Sequence, residues 1–133
     1  MNAQRVPVRR VLVVDDEDVV LRVVSTLLEH EGYDVISACN GTDALELLKT
    51  ISGTIDVAIL DVVMPKISGP ALFLRLREQY PNMQPLFISG YSRGGIVEEY
   101  GDLLESGEVL EKPFTSEKLL LRVKRAIANS PLP

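Results

Sequence analysis

Val11-Leu12-Val13-Val14-Asp15-Asp16-Glu17-Asp18 joins four apolar, mostly β-branched residues to four consecutive acids. An unbroken apolar run of this length fits a strand covered on both faces, as in a parallel sheet. The acids end it. Beyond them Val20, Val23, Val24, Leu27 and Leu28 recur at helical spacing as far as Gly32, a helix stop. Strand then helix is the first half of a parallel βαβ unit, and the rest of the chain repeats the alternation.

Val35-Ile36-Ser37-Ala38 reads as a second strand, and Asn40-Gly41-Thr42 as a turn and helix start. Ala44, Leu45, Leu47 and Leu48 form the next helix, closed around Ser52-Gly53. Val57-Ala58-Ile59-Leu60 is a third strand ending at Asp61. Ser68 is placed to cap a helix with Pro70 in its first turn, and Leu72, Phe73 and Leu76 are its apolar face. Pro85-Leu86-Phe87-Ile88 is a fourth strand ending at Ser89-Gly90. Residues 92–104 form a weak helix, since Gly94 and Gly95 each cost about 1 kcal/mol relative to Ala. Such a segment is the natural one to move. Val109-Leu110 is a short fifth strand before Lys112-Pro113. Thr115 or Ser116 caps the last helix, with Leu119, Leu120, Val123 and Ile127 facing inward. The expected fold is α/β, a parallel sheet with right-handed crossovers. One domain spans residues 9–128, with loose tails at 1–8 and 129–133.

A chain of 133 residues suits one domain with a proper core. Fourteen basic against nineteen acidic side chains give a net charge of −5. That opposes nucleic-acid binding, which needs a basic face, and docking on an anionic membrane. One cysteine and one histidine exclude an internal disulfide and a Cys/His zinc site. No apolar run approaches the roughly 18 residues of a membrane span, and Met1–Pro7 lacks the apolar stretch of a signal peptide. A cytoplasmic protein is expected.

In open parallel sheets, ligands bind beyond the carboxyl ends of the strands. Asp15 and Asp16 stand there after the first strand, Asp61 after the third, Ser89 after the fourth and Lys112 after the fifth. Each has a bland explanation. The acids could offset a helix dipole, Asp61 or Ser89-Gly90 could make a turn, and Lys112 could be a surface lysine. Their joint placement on one edge argues otherwise. Three clustered carboxylates repel unless a hard cation joins them, and Mg²⁺ takes a few carboxylates while keeping its waters. Asp16 and Asp61 suit direct ligands, with Asp15 acting through water. A lysine and a hydroxyl beside them suit phosphate oxygens. With a carboxylate nucleophile, this is the equipment of phosphoryl transfer.

The chain resembles receiver domains, the phosphoacceptor modules of two-component response regulators. The likeness lies in Val13-Val14-Asp15-Asp16-Glu17, Leu60-Asp61-Val62-Val63-Met64-Pro65, Ile88-Ser89-Gly90-Tyr91-Ser92 and Lys112-Pro113-Phe114. It implies a flavodoxin-like (βα)5 fold with strand order 2-1-3-4-5. It implies Asp61 as phosphoacceptor, and Mg²⁺ held by Asp15, Asp16, Asp61 and the Val63 backbone carbonyl. It also implies Ser89 as the switch hydroxyl, Lys112 paired with Asp61 or its phosphoryl group, and a cis Lys112–Pro113 bond. The implied donor is a sensor histidine kinase or a phosphotransfer domain. Output passes to a protein partner or an attached domain. Such a module is not an enzyme beyond its own phosphorylation and dephosphorylation. One departure stands out: Val109 occupies the place, three before the lysine, where receivers usually carry an aromatic switch residue. The Ser89-Gly90-Tyr91-Ser92 stretch also resembles receivers attached to hybrid histidine kinases.

Other functions fit less well. A flavin site would need a phosphate-cradling loop where four acids stand. A haloacid-dehalogenase-type phosphatase needs a second acid two residues after the nucleophile, and Val63 is there. No P-loop motif occurs. The remaining alternative is a pseudo-receiver, a dimerising or adaptor module that is never phosphorylated; the intact Asp61, Lys112 and acid pair oppose it. Among the singletons, Cys39 is expected to pack at the end of the second strand. Tyr33, Phe73 and Phe87 are expected to be packing residues, and His30 to lie late in the first helix.

Overall fold

The structure is a computed structural model, and it describes residues 8–90, 100–105 and 108–129. In chain order the elements are β1 (Arg10–Val14), α1 (Asp18–His30), β2 (Asp34–Ala38), α2 (Gly41–Leu48) and β3 (Val57–Asp61). There follow α3 (Gly69–Leu76), β4 (Gln84–Ser89), a helical stretch at 100–105 (α4), β5 (Glu108–Glu111) and α5 (Ser116–Ala128). Most of the expected weak helix, with Gly94 and Gly95, lies outside the described residues, as does Tyr91. So do the expected tails apart from Val8 and Asn129.

The five strands form one parallel sheet in the order β2-β1-β3-β4-β5, as expected. Local sequence sets the helix starts. The Asn40 side chain accepts from the Asp43 amide at 2.7 Å, Ser68 from Ala71 at 3.2 Å and Thr115 from Lys118 at 3.1 Å. Each hydroxyl or amide oxygen thereby satisfies an orphan donor of a first turn. Of the two candidates for the last cap, Thr115 is the one used. α1 is the exception: Glu17 stands at its N-cap without a side-chain cap bond. Gly32, at φ 93°, ends the turn after α1 in a conformation that costs glycine little.

Alternating strand residues face two separate cores. Leu12, Val14, Leu60 and Phe87 join Ala44, Leu48, Leu72, Phe73 and Leu104 under α2, α3 and α4. Val11, Val13, Ile59 and Ile88 join Leu21, Val24, Leu28, Leu119 and Val123 under α1 and α5. Phe73 and Phe87 meet edge to face, ring centroids 6.1 Å apart. Tyr33 is half-buried against the second core, and Val109 packs half-buried against the first. At the amino end of the sheet, Asp56 is buried between the Arg9 guanidinium at 3.0 Å and the Arg10 amide at 2.8 Å. The Arg10 side chain reaches Asp34 at 2.9 Å and the Ser52 carbonyl at 2.7 Å.

Cys39 corrects an expectation. It is exposed, one residue past the end of β2, because an edge strand leaves its outgoing chain uncovered. Its thiol donates to Asp43 Oδ2 at 3.3 Å.

Candidate functional site

The carboxyl end of the sheet gathers the chemistry. Asp15 continues β1 by one residue, its amide donating to the Ala38 carbonyl at 3.3 Å. Asp61 is the last residue of β3, and the next amide, of Val62, donates to the Ile88 carbonyl at 2.8 Å. Both side chains are buried, whereas Asp16 is exposed. One carboxylate oxygen from each of Asp15, Asp16 and Asp61 lies within 4.8 Å of the others.

Lys112 enters from β5. Its amide donates to the Ser89 carbonyl at 2.8 Å, and its peptide bond to Pro113 is cis, as expected. Its Nζ lies 3.5 Å from Asp61 Oδ2, 3.4 Å from Asp15 Oδ2 and 2.6 Å from Glu17 Oε1. Ser89 is buried at the end of β4, its hydroxyl donating to the Gly90 carbonyl at 3.2 Å. Val63 follows in the loop after β3 with its side chain largely exposed.

Burial and mutual repulsion act on the carboxylates of the cluster. Burial, and then the Asp15 charge, push Asp61 up to about 7, against the pull of Lys112. Burial likewise raises Asp15 above the ordinary carboxylate range. Burial disfavours the Lys112 ammonium, but the Glu17 hydrogen bond and the charges of Asp61, Asp15 and Glu17 outweigh it, so its pKa is raised. Asp15 Oδ1 accepts from the Glu17 amide at 2.8 Å, while its buried Oδ2 has no hydrogen-bond partner. A buried carboxylate oxygen that faces the Lys112 ammonium at 3.4 Å without a hydrogen bond, beside two more carboxylates, belongs to a donor set that fits a hard divalent cation.

Two residues escaped the sequence reading. Glu17 was legible only as one of four acids, yet it is the nearest partner of Lys112 across 95 positions. Gly69 looked like part of a helix start. Its amide donates to the Val62 carbonyl at 3.1 Å, and a Cβ there would stand 2.2 Å from the Asp61 carbonyl oxygen.

Comparison with known proteins places the chain in a family. The family model described as response regulator receiver domain matches residues 11–124. The chain is 35% identical over 117 residues to the sensor kinase CckA of Brucella abortus, covering 88% of this chain and 12% of that protein. It is 30% identical over 118 residues to the response regulator SaeR of Staphylococcus epidermidis, covering 89% of this chain and 50% of the relative. The chain thus spans half or less of the length of these relatives. Among solved structures, a response regulator receiver domain protein from Clostridium thermocellum superposes with a TM-score of 0.77 at 29% identity. That alignment covers 91% of this chain and 95% of the other. The signal receiver domain of an HD domain-containing protein from Pseudomonas fluorescens Pf-5 gives a TM-score of 0.79 at 27% identity, covering 92% and 96%. No helix among the described residues is long and apolar enough to cross a membrane. With the sheet order, the acid cluster and the family match all in register, the chain belongs to the response regulator receiver domain family.

Proposed function

We propose that residues 9–128 form a Mg²⁺-dependent phosphoacceptor domain whose Asp61 takes a phosphoryl group from the phosphohistidine of a sensor kinase or phosphotransfer domain. One observation carries this reading: the Asp61 carboxylate lies within 4.8 Å of both Asp15 and Asp16 oxygens and 3.5 Å from the Lys112 ammonium. A nucleophile flanked by a cation site and a fixed positive charge is what a phosphoryl acceptor requires.

Asp15, Asp16, Asp61 and the Val63 carbonyl would hold the metal. When bound there, Mg²⁺ would supply positive charge to offset the acids and the phosphoryl oxygens. An Asp61 carboxylate oxygen attacks phosphorus, the bond from phosphorus to the imidazole nitrogen breaks, and its electron pair stays on that nitrogen. The product is an acyl phosphate. Lys112 neutralises one phosphoryl oxygen. The Ser89 hydroxyl, released from the Gly90 carbonyl, donates to another. That movement of Ser89 alters the surface beside β4, which a protein partner or attached domain reads.

The domain acts on itself alone and is no enzyme for other substrates. A cytoplasmic location follows from the donor, and nothing in the acidic chain invites nucleic acid or membrane. The test is exposure to a small phosphodonor with Mg²⁺, followed by intact mass and site mapping. A gain of one phosphoryl group at Asp61 is expected; modification elsewhere, or none, would overturn the reading.

A further inference from the structure

Lys112 is not centred on the acid cluster. Its Nζ is 2.6 Å from Glu17 Oε1 but 3.5 Å from Asp61 Oδ2 and 3.4 Å from Asp15 Oδ2. Only the Glu17 contact has the length of a strong charge-assisted hydrogen bond. Glu17 is well anchored for this task. Its amide donates to Asp15 Oδ1 at 2.8 Å, and its carbonyl accepts from Leu21 at 3.0 Å in the first turn of α1. Its carboxylate makes no cap bond to α1, the local role open to an acid at that position. Instead it extends to the solvent edge of the cluster, 61% exposed, and holds the ammonium there.

We infer that Glu17 is a positioning residue that holds Lys112 off Asp61 in the resting domain, so that phosphorylation requires the lysine to pass from Glu17 to the phosphoryl group. This role rests on Asp61 being the phosphoacceptor. The physical reason is competition for one ammonium. Lys112 is the one cation shown at the cluster among the described residues, and Glu17 faces it from outside while Asp15 and Asp61 face it from within. A phosphoryl group on Asp61 adds acceptors on the inner side. Before that, the outer carboxylate wins, because it keeps its water and costs little to leave charged. Glu17 thus biases the site toward the unphosphorylated state.

The experiment compares wild type, Glu17→Gln, Lys112→Gln and the double variant at saturating Mg²⁺, with acetyl phosphate as donor. Glu17→Gln is expected to speed phosphorylation of Asp61 by about two- to fivefold, the worth of a half-exposed ion pair. In the Lys112→Gln background the same substitution should have no effect. An equal acceleration in both backgrounds would mean that Glu17 merely repels the anionic donor, and would overturn the role. So would a slower or unchanged rate in the single variant. A second readout needs no phosphorylation: the Lys112 ¹³Cε and ¹⁵Nζ resonances of the unphosphorylated domain should move on Glu17→Gln and return toward wild type in Glu17→Asp. Resonances that stay put would overturn the resting contact. Failure of the wild type to gain phosphate at Asp61, with the resonances moving as expected, would instead count against the phosphoacceptor reading.

Discussion

Gly69 lies so close to Asp61 that a methyl group on it would sit 2.2 Å from the Asp61 carbonyl oxygen and 3.0 Å from its carbon. The obstacle is backbone, so no side-chain rotation relieves it. The start of α3 is thereby seated directly on the residue that ends β3.

Gly69→Ala is therefore expected to displace either the end of β3 or the start of α3. A loss of about 1–3 kcal/mol in stability should follow, as for other overpacked sites. Phosphorylation should slow as well, because the displaced residue is the proposed acceptor. Urea unfolding and the rate with acetyl phosphate check both. A variant that keeps the midpoint and the rate of the wild type would contradict the close approach.

Asp61→Asn should abolish phosphate incorporation and stabilise the metal-free domain above neutral pH. The folded pKa of Asp61, about 7, exceeds its unfolded value, so the folded state binds the extra proton. Stability falls as pH rises between about 4 and about 7, and stays lower beyond. Asn escapes that loss. The melting temperature in EDTA should rise on the order of 5 °C at pH 8, with little change at pH 4. A gain confined to acid pH would reverse the sign and refute the buried-charge account.

If Asp61 is a metal ligand as proposed, Mg²⁺ has to displace the proton that Asp61 holds up to about pH 7. Affinity should climb with pH through that range and level off above it, with proton release visible by calorimetry in two buffers. Asp16→Ala should weaken binding more than about tenfold, because it removes a proposed charged ligand. A titration indifferent to both pH and Asp16 would place the metal elsewhere.

Acyl phosphate hydrolysis needs a water aimed at phosphorus. Val63, exposed beside the site, offers no hydrogen bond to aim one. Val63→Asn is expected to shorten the lifetime on the order of tenfold. Decay after removal of the phosphodonor measures it, and an unchanged half-life would show that this position does not orient the water.

Most of the sheet was legible because parallel strands are covered on both faces and announce themselves as apolar runs. Val11–Val14 and Val57–Leu60 fell within a residue of the observed bounds, and Asp61 proved to belong to β3 itself. The edge elements were harder. Cys39 reads as an apolar residue, but lateral cover is a property of sheet order and not of local sequence. The site was legible as far as topology collects strand ends. The Glu17–Lys112 contact was not, since it joins the segments that follow β1 and β5, which are separated in the sheet by β3 and β4. Nothing in the local sequence marks Asp56 either. Only the fold shows it buried beneath Arg9 and Arg10.

The two cores share the sheet and no side chain. On β1, Leu12 and Val14 belong to one and Val11 and Val13 to the other, and β4 divides Phe87 from Leu86 and Ile88 in the same way. The sheet is thus a partition wall. Volume lost at Phe73 is felt by Phe87 on its own side, while Leu119 and Val123 are insulated by a layer of backbone. Substitutions on opposite sides should combine additively. A lineage of such chains can therefore revise its α2–α3 exterior by drift and leave the α1–α5 exterior in place, so that one outward face changes acquaintances while the other keeps its own.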